Sequence, residues 1–206
     1  MTRRIAADEA GITEALRLLA AGEVVAFPTE TYYGLAADAR SASAVAKVFA
    51  AKQRAADVAV ALIARDLDAV RGLAAGELPD AAVALAAKFW PGPLTIVIRA
   101  AASVPSALTA GTGTIGVRVS PHPVAAALAS AFPITATSAN VSGRPALRSA
   151  AEVAAELPEI SLVLDGGDTP GGLPSTLVDV SADPPRIVRA GAIFTDALRE
   201  ILPALR

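Results

Sequence analysis

A short apolar strand, a turn and a second strand follow one another in residues 24–37, VVAFPTETYYGLAA. Four apolar residues run to Phe27, and Pro28 ends that strand because proline has no backbone N–H to donate to a sheet ladder. The second strand is predicted across Tyr32 to Ala37. Two strands this close together do not fit a regular βαβ alternation, in which a helix separates each strand from the next.

The rest of the chain mixes helices and strands irregularly. Helices are predicted over residues 8–21, 41–51, 66–74, 79–89, 123–130, 149–157 and 195–202, with Ser41 as an N-cap. Further strands are predicted over residues 58–63, 94–98, 115–119, 134–137, 162–164, 176–179 and 186–189. This order predicts a single α/β (α+β) domain over residues 1–206, with a mixed, twisted sheet flanked by helices.

Composition narrows the function classes. The chain of 206 residues has no cysteine, which excludes disulfides, thiolate catalysis and cysteine-based zinc sites. A formal net charge of -2 gives no global electrostatic case for nucleic-acid binding. The N-terminus carries Asp8 and Glu9 where a signal peptide has an apolar core, and no apolar run approaches the ~20 residues of a membrane span. A cytoplasmic protein is expected.

The segment Gly111-Thr112-Gly113-Thr114-Ile115-Gly116 matches the G-x-G-x-x-G fingerprint of dinucleotide-binding proteins by letter. That fingerprint requires a strand before it and a helix opening within it. Here a strand is predicted to continue through Arg118, and Pro121 follows. The sequence therefore argues against a nicotinamide cofactor.

Two cations follow the second predicted helix in Lys52-Gln53-Arg54. One interpretation is a solvated pair at a helix C-terminus, where cations are mildly favoured. The other is a phosphate site, because arginine binds phosphate in a planar, bidentate way and lysine supplies a mobile point charge.

Hydroxyl and amide groups are dense after the predicted strand around Ile134, in Thr137-Ser138-Ala139-Asn140. An ordinary polar turn would explain them. Ligands, however, usually bind at strand ends in sheet-based enzymes, where Ser138 and Asn140 could contact phosphate oxygens or a hydrated metal ion.

An arginine at position 118 is unexpected in a valine-rich strand, because a buried arginine needs a partner or a cleft. We interpret Arg118 as a clamp for a substrate carboxylate. Thr31 fits a small polar pocket, and Ser175 a hydroxyl donor beside the glycine-rich loop 165–174. His122 is expected to be a turn residue without a catalytic role.

Four motifs occur in a fixed order along the chain: Pro-Thr-Glu-Thr-Tyr-Tyr-Gly at 28–34, Lys-Gln-Arg at 52–54, Ser-Ala-Asn at 138–140 and Pro-Ser-Thr at 174–176. With them, the region from about Val24 to Ile193 closely resembles the YrdC/Sua5 family, in particular its short bacterial threonylcarbamoyl-AMP synthases. The resemblance implies a sheet with a concave, basic cleft. It also implies synthesis of threonylcarbamoyl-AMP and pyrophosphate from L-threonine, bicarbonate and ATP with Mg²⁺, for modification of adenosine 37 in tRNA.

The same resemblance implies a role for each candidate residue. A catalytic role is implied for Lys52, Arg54, Ser138 and Asn140. ATP binding is implied for these four residues and for Thr114 and Arg189, and threonine binding for Thr31, Arg118 and Ser175. The magnesium ion would be held through the ATP phosphates. Possible partners are tRNA or double-stranded RNA and a downstream threonylcarbamoyl-transferase complex, and no membrane partner is expected.

The segment 55–60 departs from the usual family pattern, with Ala55 in place of a common proline and Ala59-Val60 in place of a Pro-Leu pair. A more flexible loop is expected there. This departure leaves room for a non-catalytic relative that binds double-stranded RNA or nucleotides. A third hypothesis is a carbamoyl-transfer module of the kind found inside larger maturation enzymes.

Overall fold

The computed structural model describes residues 2–55 and 57–206, so Met1 and residue 56 of the predicted flexible segment lie outside the description. Eleven strands occur in the described residues: β1 Arg3–Ala6, β2 Val25–Phe27, β3 Gly34–Ala36, β4 Leu62–Ile63, β5 Leu94–Arg99, β6 Thr114–Arg118, β7 Ile134–Thr135, β8 Thr137–Ser138, β9 Leu162–Asp165, β10 Thr176–Asp179 and β11 Arg186–Arg189.

Seven of the eight helices in the described residues lie at predicted positions. The eight helices are α1 Glu9–Ala20, α2 Ala42–Lys52, α3 Leu67–Arg71, α4 Asp80–Phe89, α5 Ser106–Thr109, α6 Pro123–Ala129, α7 Ala150–Glu156 and α8 Thr195–Arg199. The predicted N-cap is confirmed, because the Ser41 hydroxyl accepts a hydrogen bond from the Ala44 amide. None of the helices in this part of the chain has the length and apolarity needed to cross a bilayer.

The first sheet has the strand order β1-β9-β2-β3-β8 and is mixed, with parallel pairs at β1–β9 and β2–β9. Its side chains alternate between two cores, because successive residues of a strand point to opposite faces. Val25 and Phe27 pack with α1 and α6 on one face. Val24 and Ala26 pack with α2 and α7 on the other.

The second sheet has the strand order β11-β10-β5-β6-β4-β7. Leu94, Ile96 and Ile98 of β5 pack on one face in a core that includes Leu85 of α4. Thr95 and Val97 alternate with them and therefore point to the opposite face, where they line a cavity. The fold thus leaves one face of this sheet free to receive a ligand.

The two sheets meet along residues 134–138, which contribute β7 to the second sheet and β8 to the first. The buried Thr135 joins them: its hydroxyl donates to the carbonyl of Leu35 and accepts from the amide of Ala37, both at 2.9 Å. A β-bridge between Asp38 and Ile134 extends the junction. The mixed α/β architecture is as predicted, but the strands are divided between two sheets.

The sequence predictions of elements need correction at four points. The strand expected over 134–137 is interrupted at residue 136, because its two halves pair in different sheets as β7 and β8. The strand expected over 58–63 is reduced to β4, because Arg54 donates hydrogen bonds to the carbonyls of Val58 and Ala59 in place of a strand partner. Neither β1 nor α5 was predicted. The polar sequence of β1 carries no apolar alternation, and four residues of α5 are too few to show a helical period.

Candidate active site

One cavity of about 620 Å³ opens between the two sheets, and we call it the cleft. Its floor is the open face of β5, β6 and β10 in the second sheet. Its walls are residues 29–34, residues 59–63 and residues 136–138, which include β8. Segments far apart in the chain therefore share one hollow.

Seven of the nine residues predicted for the site line the cleft: Thr31, Arg54, Thr114, Arg118, Ser138, Ser175 and Arg189. The other two, Lys52 and Asn140, do not line it and are buried behind the wall that carries Ser138. The tertiary structure thus brings most of the predicted set together. It separates the two cations of the Lys-Gln-Arg motif.

That separation comes from the end of α2. The helix ends at Lys52, and Gln53 adopts a left-handed conformation with φ of 49°. Such a residue commonly closes a helix and reverses the chain direction. Lys52 consequently points into the protein with 2% exposure, whereas Arg54 faces the cleft.

The Lys52 ammonium has three N–H donors, and three oxygen acceptors lie within hydrogen-bond distance of it. Its Nζ donates to the carbonyl of Ser138 at 2.5 Å, to the carbonyl of Asn140 at 2.8 Å and to the Asn140 side-chain Oδ1 at 3.4 Å. Burial, and then repulsion from Arg54, lowers the pKa of Lys52 to about 8. In this arrangement Lys52 fixes the backbone that presents the Ser138 hydroxyl.

The Asn140 side chain completes the same turn from the other side. Its Nδ2 donates to the carbonyls of Val141 and Arg144, and the Val141 amide donates to the carboxylate of Glu156 at the end of α7. Because Nδ2 is engaged within the turn and Oδ1 accepts from Lys52, the Asn140 side chain holds the loop that follows β8.

Arg118 has the partner that its burial requires. Its Nη1 donates to Oε1 of Glu30, and the Ser120 hydroxyl donates to Oε2 of Glu30 at 3.0 Å. Burial, and then the nearby Arg189, lowers the pKa of Arg118 to about 10, so the guanidinium remains charged at neutral pH. Glu30 was not among the predicted site residues, although its position between two threonines of the first motif was a signal.

Hydroxyl groups accompany the arginines across the floor of the cleft. Ser175 and Thr95 exchange a hydrogen bond at 2.8 Å, and Arg189 donates to the carbonyl and hydroxyl of Ser175 at 2.8 and 3.1 Å. The hydroxyls of Thr114 and Thr112 lie 2.9 Å apart. This floor can bind anions through both charge and neutral donors.

The glycine-rich loop is attached to the first motif at several points. The Gly171 amide donates to the carbonyl of Thr31 at 2.7 Å, and the hydroxyl of the buried Tyr33 donates to the carbonyl of Gly167 at 2.8 Å. Gly167 and Gly171 both have positive φ, which a side chain rarely adopts. The loop that leads to Ser175 is therefore held beside Thr31.

Two further sequence predictions concern residues near the cleft. Gly111 and Gly113 precede β6, so the G-x-G-x-x-G letters lead into a strand and do not form the turn of a dinucleotide fold. His122 caps α6, because its Nδ1 accepts a hydrogen bond from the Val124 amide, and burial lowers its pKa. Both observations agree with the structural roles expected for these residues.

Comparison with known proteins identifies the family. A family model for Sua5, YciO and YrdC proteins, described as telomere recombination, matches residues 17–191. A threonylcarbamoyl-AMP synthase of Pyrococcus abyssi is 39% identical over 188 residues, which are 90% of this chain and 55% of that protein. A putative threonylcarbamoyl-AMP synthase of Mycobacterium tuberculosis is 36% identical over 194 residues, 93% of this chain and 89% of the relative.

The fold has a close counterpart among solved structures. The crystal structure of P. abyssi Sua5 complexed with L-threonine superposes with a TM-score of 0.91 at 37% identity, over 100% of this chain and 61% of that one. The chain therefore spans little more than half the length of the Pyrococcus relative and most of the mycobacterial one.

Proposed function

The chain belongs to the Sua5/YciO/YrdC family, and we propose that it is an L-threonylcarbamoyladenylate synthase. The proposed reaction joins L-threonine, bicarbonate and ATP into threonylcarbamoyl-AMP, with release of pyrophosphate and of the water that bicarbonate loses when it supplies carbon dioxide. The observation that carries the proposal is the cleft, which combines arginines suited to phosphates with a paired arginine and hydroxyls suited to an amino acid.

The chemistry needs positioning and charge neutralisation more than a side-chain nucleophile. The threonine amine captures carbon dioxide and loses a proton, which gives a carbamate. A carbamate oxygen then attacks the α-phosphorus in line, and the bond to pyrophosphate breaks. Such a reaction is compatible with a cleft whose charged side chains are mostly arginines.

We assign roles according to position in the cleft. Arg54 and Arg189 neutralise the triphosphate, and the hydroxyls of Ser138 and Thr114 donate to it. Lys52 and Asn140, predicted to be direct phosphate ligands, act in this proposal by holding the Ser138 loop.

The proposed binding site for threonine is formed by Arg118, Ser175 and Thr31, and we call it the amino-acid end of the cleft. Arg118 and Ser175 bind the threonine carboxylate, and Thr31 contacts the side chain. The L-threonine in the P. abyssi Sua5 structure supports this choice of substrate.

Magnesium is proposed to enter with ATP. Mg²⁺ prefers oxygen ligands and is commonly held by few protein groups plus substrate phosphates. The Ser138 hydroxyl lines the cleft and could supply one oxygen ligand to the ion. The ion would neutralise phosphate charge when bound, while the arginines orient the nucleotide. The product would serve a transferase complex that modifies adenosine 37 of tRNA.

Pyrophosphate release tests the proposed function. Purified protein with Mg²⁺ and ATP is expected to release pyrophosphate when L-threonine and bicarbonate are both present, and the adenylate product is expected by mass spectrometry. Omission of either substrate serves as the control. Pyrophosphate release that does not depend on threonine, or ATP binding without turnover, would instead indicate the non-catalytic nucleotide-binding relative.

A further inference from the structure

Two acidic residues occur among the described residues that line the cleft, and they differ in how fully their oxygens are used. A carboxylate offers about four acceptor sites. Asp179 accepts four hydrogen bonds: two from the backbone and side chain of Ser181, and two from the guanidinium of Arg186. Other groups of the protein therefore use all of the hydrogen-bond acceptor sites of Asp179.

Glu30 accepts only two hydrogen bonds from the described residues, one on each oxygen, from Arg118 and Ser120. About half of its acceptor capacity remains. Its side chain is 23% exposed and lines the cleft, so these sites can be reached by a ligand. Free acceptor sites on a carboxylate that lines the cleft suit a ligand group that is cationic and carries N–H donors.

Arg118 has donors to spare beside this carboxylate. A guanidinium carries five N–H donors, and Glu30 is the side-chain partner of its Nη1. The cleft thus presents a positive group and a negative group in direct contact at its amino-acid end. An α-amino acid carries the matching pair of charges on one carbon atom.

We infer that Glu30 binds the α-ammonium group of the incoming amino acid while Arg118 binds its carboxylate. Glu30 thereby makes the cleft selective for zwitterions over acids that lack an amine. This inference rests on the proposed function and assigns Glu30 to the binding step that precedes loss of the ammonium proton. An acid without the amine would place its carboxylate beside that of Glu30 with no positive group of its own to offset the repulsion, even though Arg118 keeps free donors.

The experiment compares binding of L-threonine with binding of 3-hydroxybutyrate, which lacks the amine, by calorimetry. The wild-type protein is expected to bind threonine at least tenfold more tightly than 3-hydroxybutyrate, which is a difference in binding free energy of about 1.4 kcal/mol. In Glu30→Gln the affinity for threonine is expected to fall at least tenfold. The affinity for 3-hydroxybutyrate is expected to equal or exceed that of the wild-type protein, so that the preference for threonine disappears.

Two variants serve as controls. Glu14→Gln removes another arginine-paired carboxylate, on α1 and outside the cleft, and should leave both affinities unchanged. Glu30→Asp keeps the charge on a shorter side chain and should keep the preference for threonine even if its affinity falls. It also provides a folded variant if Glu30→Gln is unstable.

Different failures have different meanings. An equal loss of affinity for both ligands in Glu30→Gln would mean that Glu30 only orients Arg118, and the inference would be wrong. Unchanged affinities would also overturn it. A wild-type protein that binds neither ligand, with or without ATP, would instead contradict the proposed function itself.

Discussion

Lys52 and Arg54 are two residues apart and experience opposite environments. Lys52 is 2% exposed and holds three oxygens of the segment 138–140, while Arg54 faces the cleft and holds the carbonyls of Val58 and Ala59. The sequence motif suggests a pair of equivalent phosphate ligands. The structure instead divides it into a buried residue that holds the loop after β8 and a cation that faces the cleft.

Substitution of Lys52 is expected to lower mainly the stability of the protein, and substitution of Arg54 mainly its activity. Lys52→Met leaves buried acceptors without a donor, and each such group costs about 1–3 kcal/mol, so we expect the free energy of unfolding to fall by about 2–4 kcal/mol. Arg54→Ala is expected to lower turnover at least tenfold, about 1.4 kcal/mol, with little loss of stability. Chemical denaturation and pyrophosphate release measure the two effects; equal stability of both variants would contradict the assignment.

The pKa of Lys52 predicts a pH dependence of stability. Between its native value of about 8 and its ordinary value of 10.5, the unfolded chain binds a proton that the native protein has released. The free energy of unfolding therefore gains a contribution that rises with pH in this window. Below about pH 8 both states are protonated, and the full cost of burying the ammonium remains.

The wild-type protein is accordingly expected to gain stability relative to Lys52→Met from about pH 7.5 to about pH 9.5, measured by guanidinium denaturation. The variant is the control because it lacks the titrating group and shares all others. A difference between the two proteins that stays constant over this range would mean that the pKa of Lys52 is not lowered.

At the scale of the element, α2 and the residue that closes it determine where the cations point. Ser41 caps the start of α2, and Gln53 ends it in a left-handed conformation. A side chain other than glycine pays about 1–2 kcal/mol for that conformation. The family motif can therefore be understood as a helix end with a cation on each side of a reversing residue.

Gln53 offers a test of this helix end. Gln53→Gly is expected to keep full activity and to leave stability unchanged or higher by up to about 1 kcal/mol, because glycine adopts positive φ without strain. Gln53→Ile is expected to lower stability by about 1–2 kcal/mol and to lower activity, since a β-branched residue opposes this conformation. Thermal denaturation and turnover distinguish the two; equal effects would mean that the left-handed turn is unimportant.

At the scale of the whole molecule, the cleft lies where two sheets meet, and both sheets take a strand from residues 134–138. One sheet supplies the floor, and the other supplies much of the wall. Thr135 ties them through two hydrogen bonds that are both buried. The relative position of the floor and the wall of the cleft therefore depends partly on a residue that does not line it.

Thr135→Val keeps the shape of the side chain and removes both hydrogen bonds. We expect the free energy of unfolding to fall by about 2 kcal/mol, and the KM values for ATP and threonine to rise together. Thr109→Val is the matched control, because the buried Thr109 makes one local hydrogen bond, to Ser106, within α5. A rise in KM that was no larger in Thr135→Val than in Thr109→Val would contradict a link between the junction and the cleft.

The sequence by itself determined seven of the eight described helices, most of the strands and the mixed architecture, because apolar periodicity and caps are local properties. The resemblance of its motifs to a known family pointed to seven residues that line the cleft. Only the tertiary structure decided that Lys52 is buried, that Glu30 pairs with Arg118 and that the strands divide into two sheets. These outcomes depend on groups 86–88 residues apart in the chain. Whether a charged side chain is a ligand or a support depends on the partners that folding brings to it, and no local pattern records them.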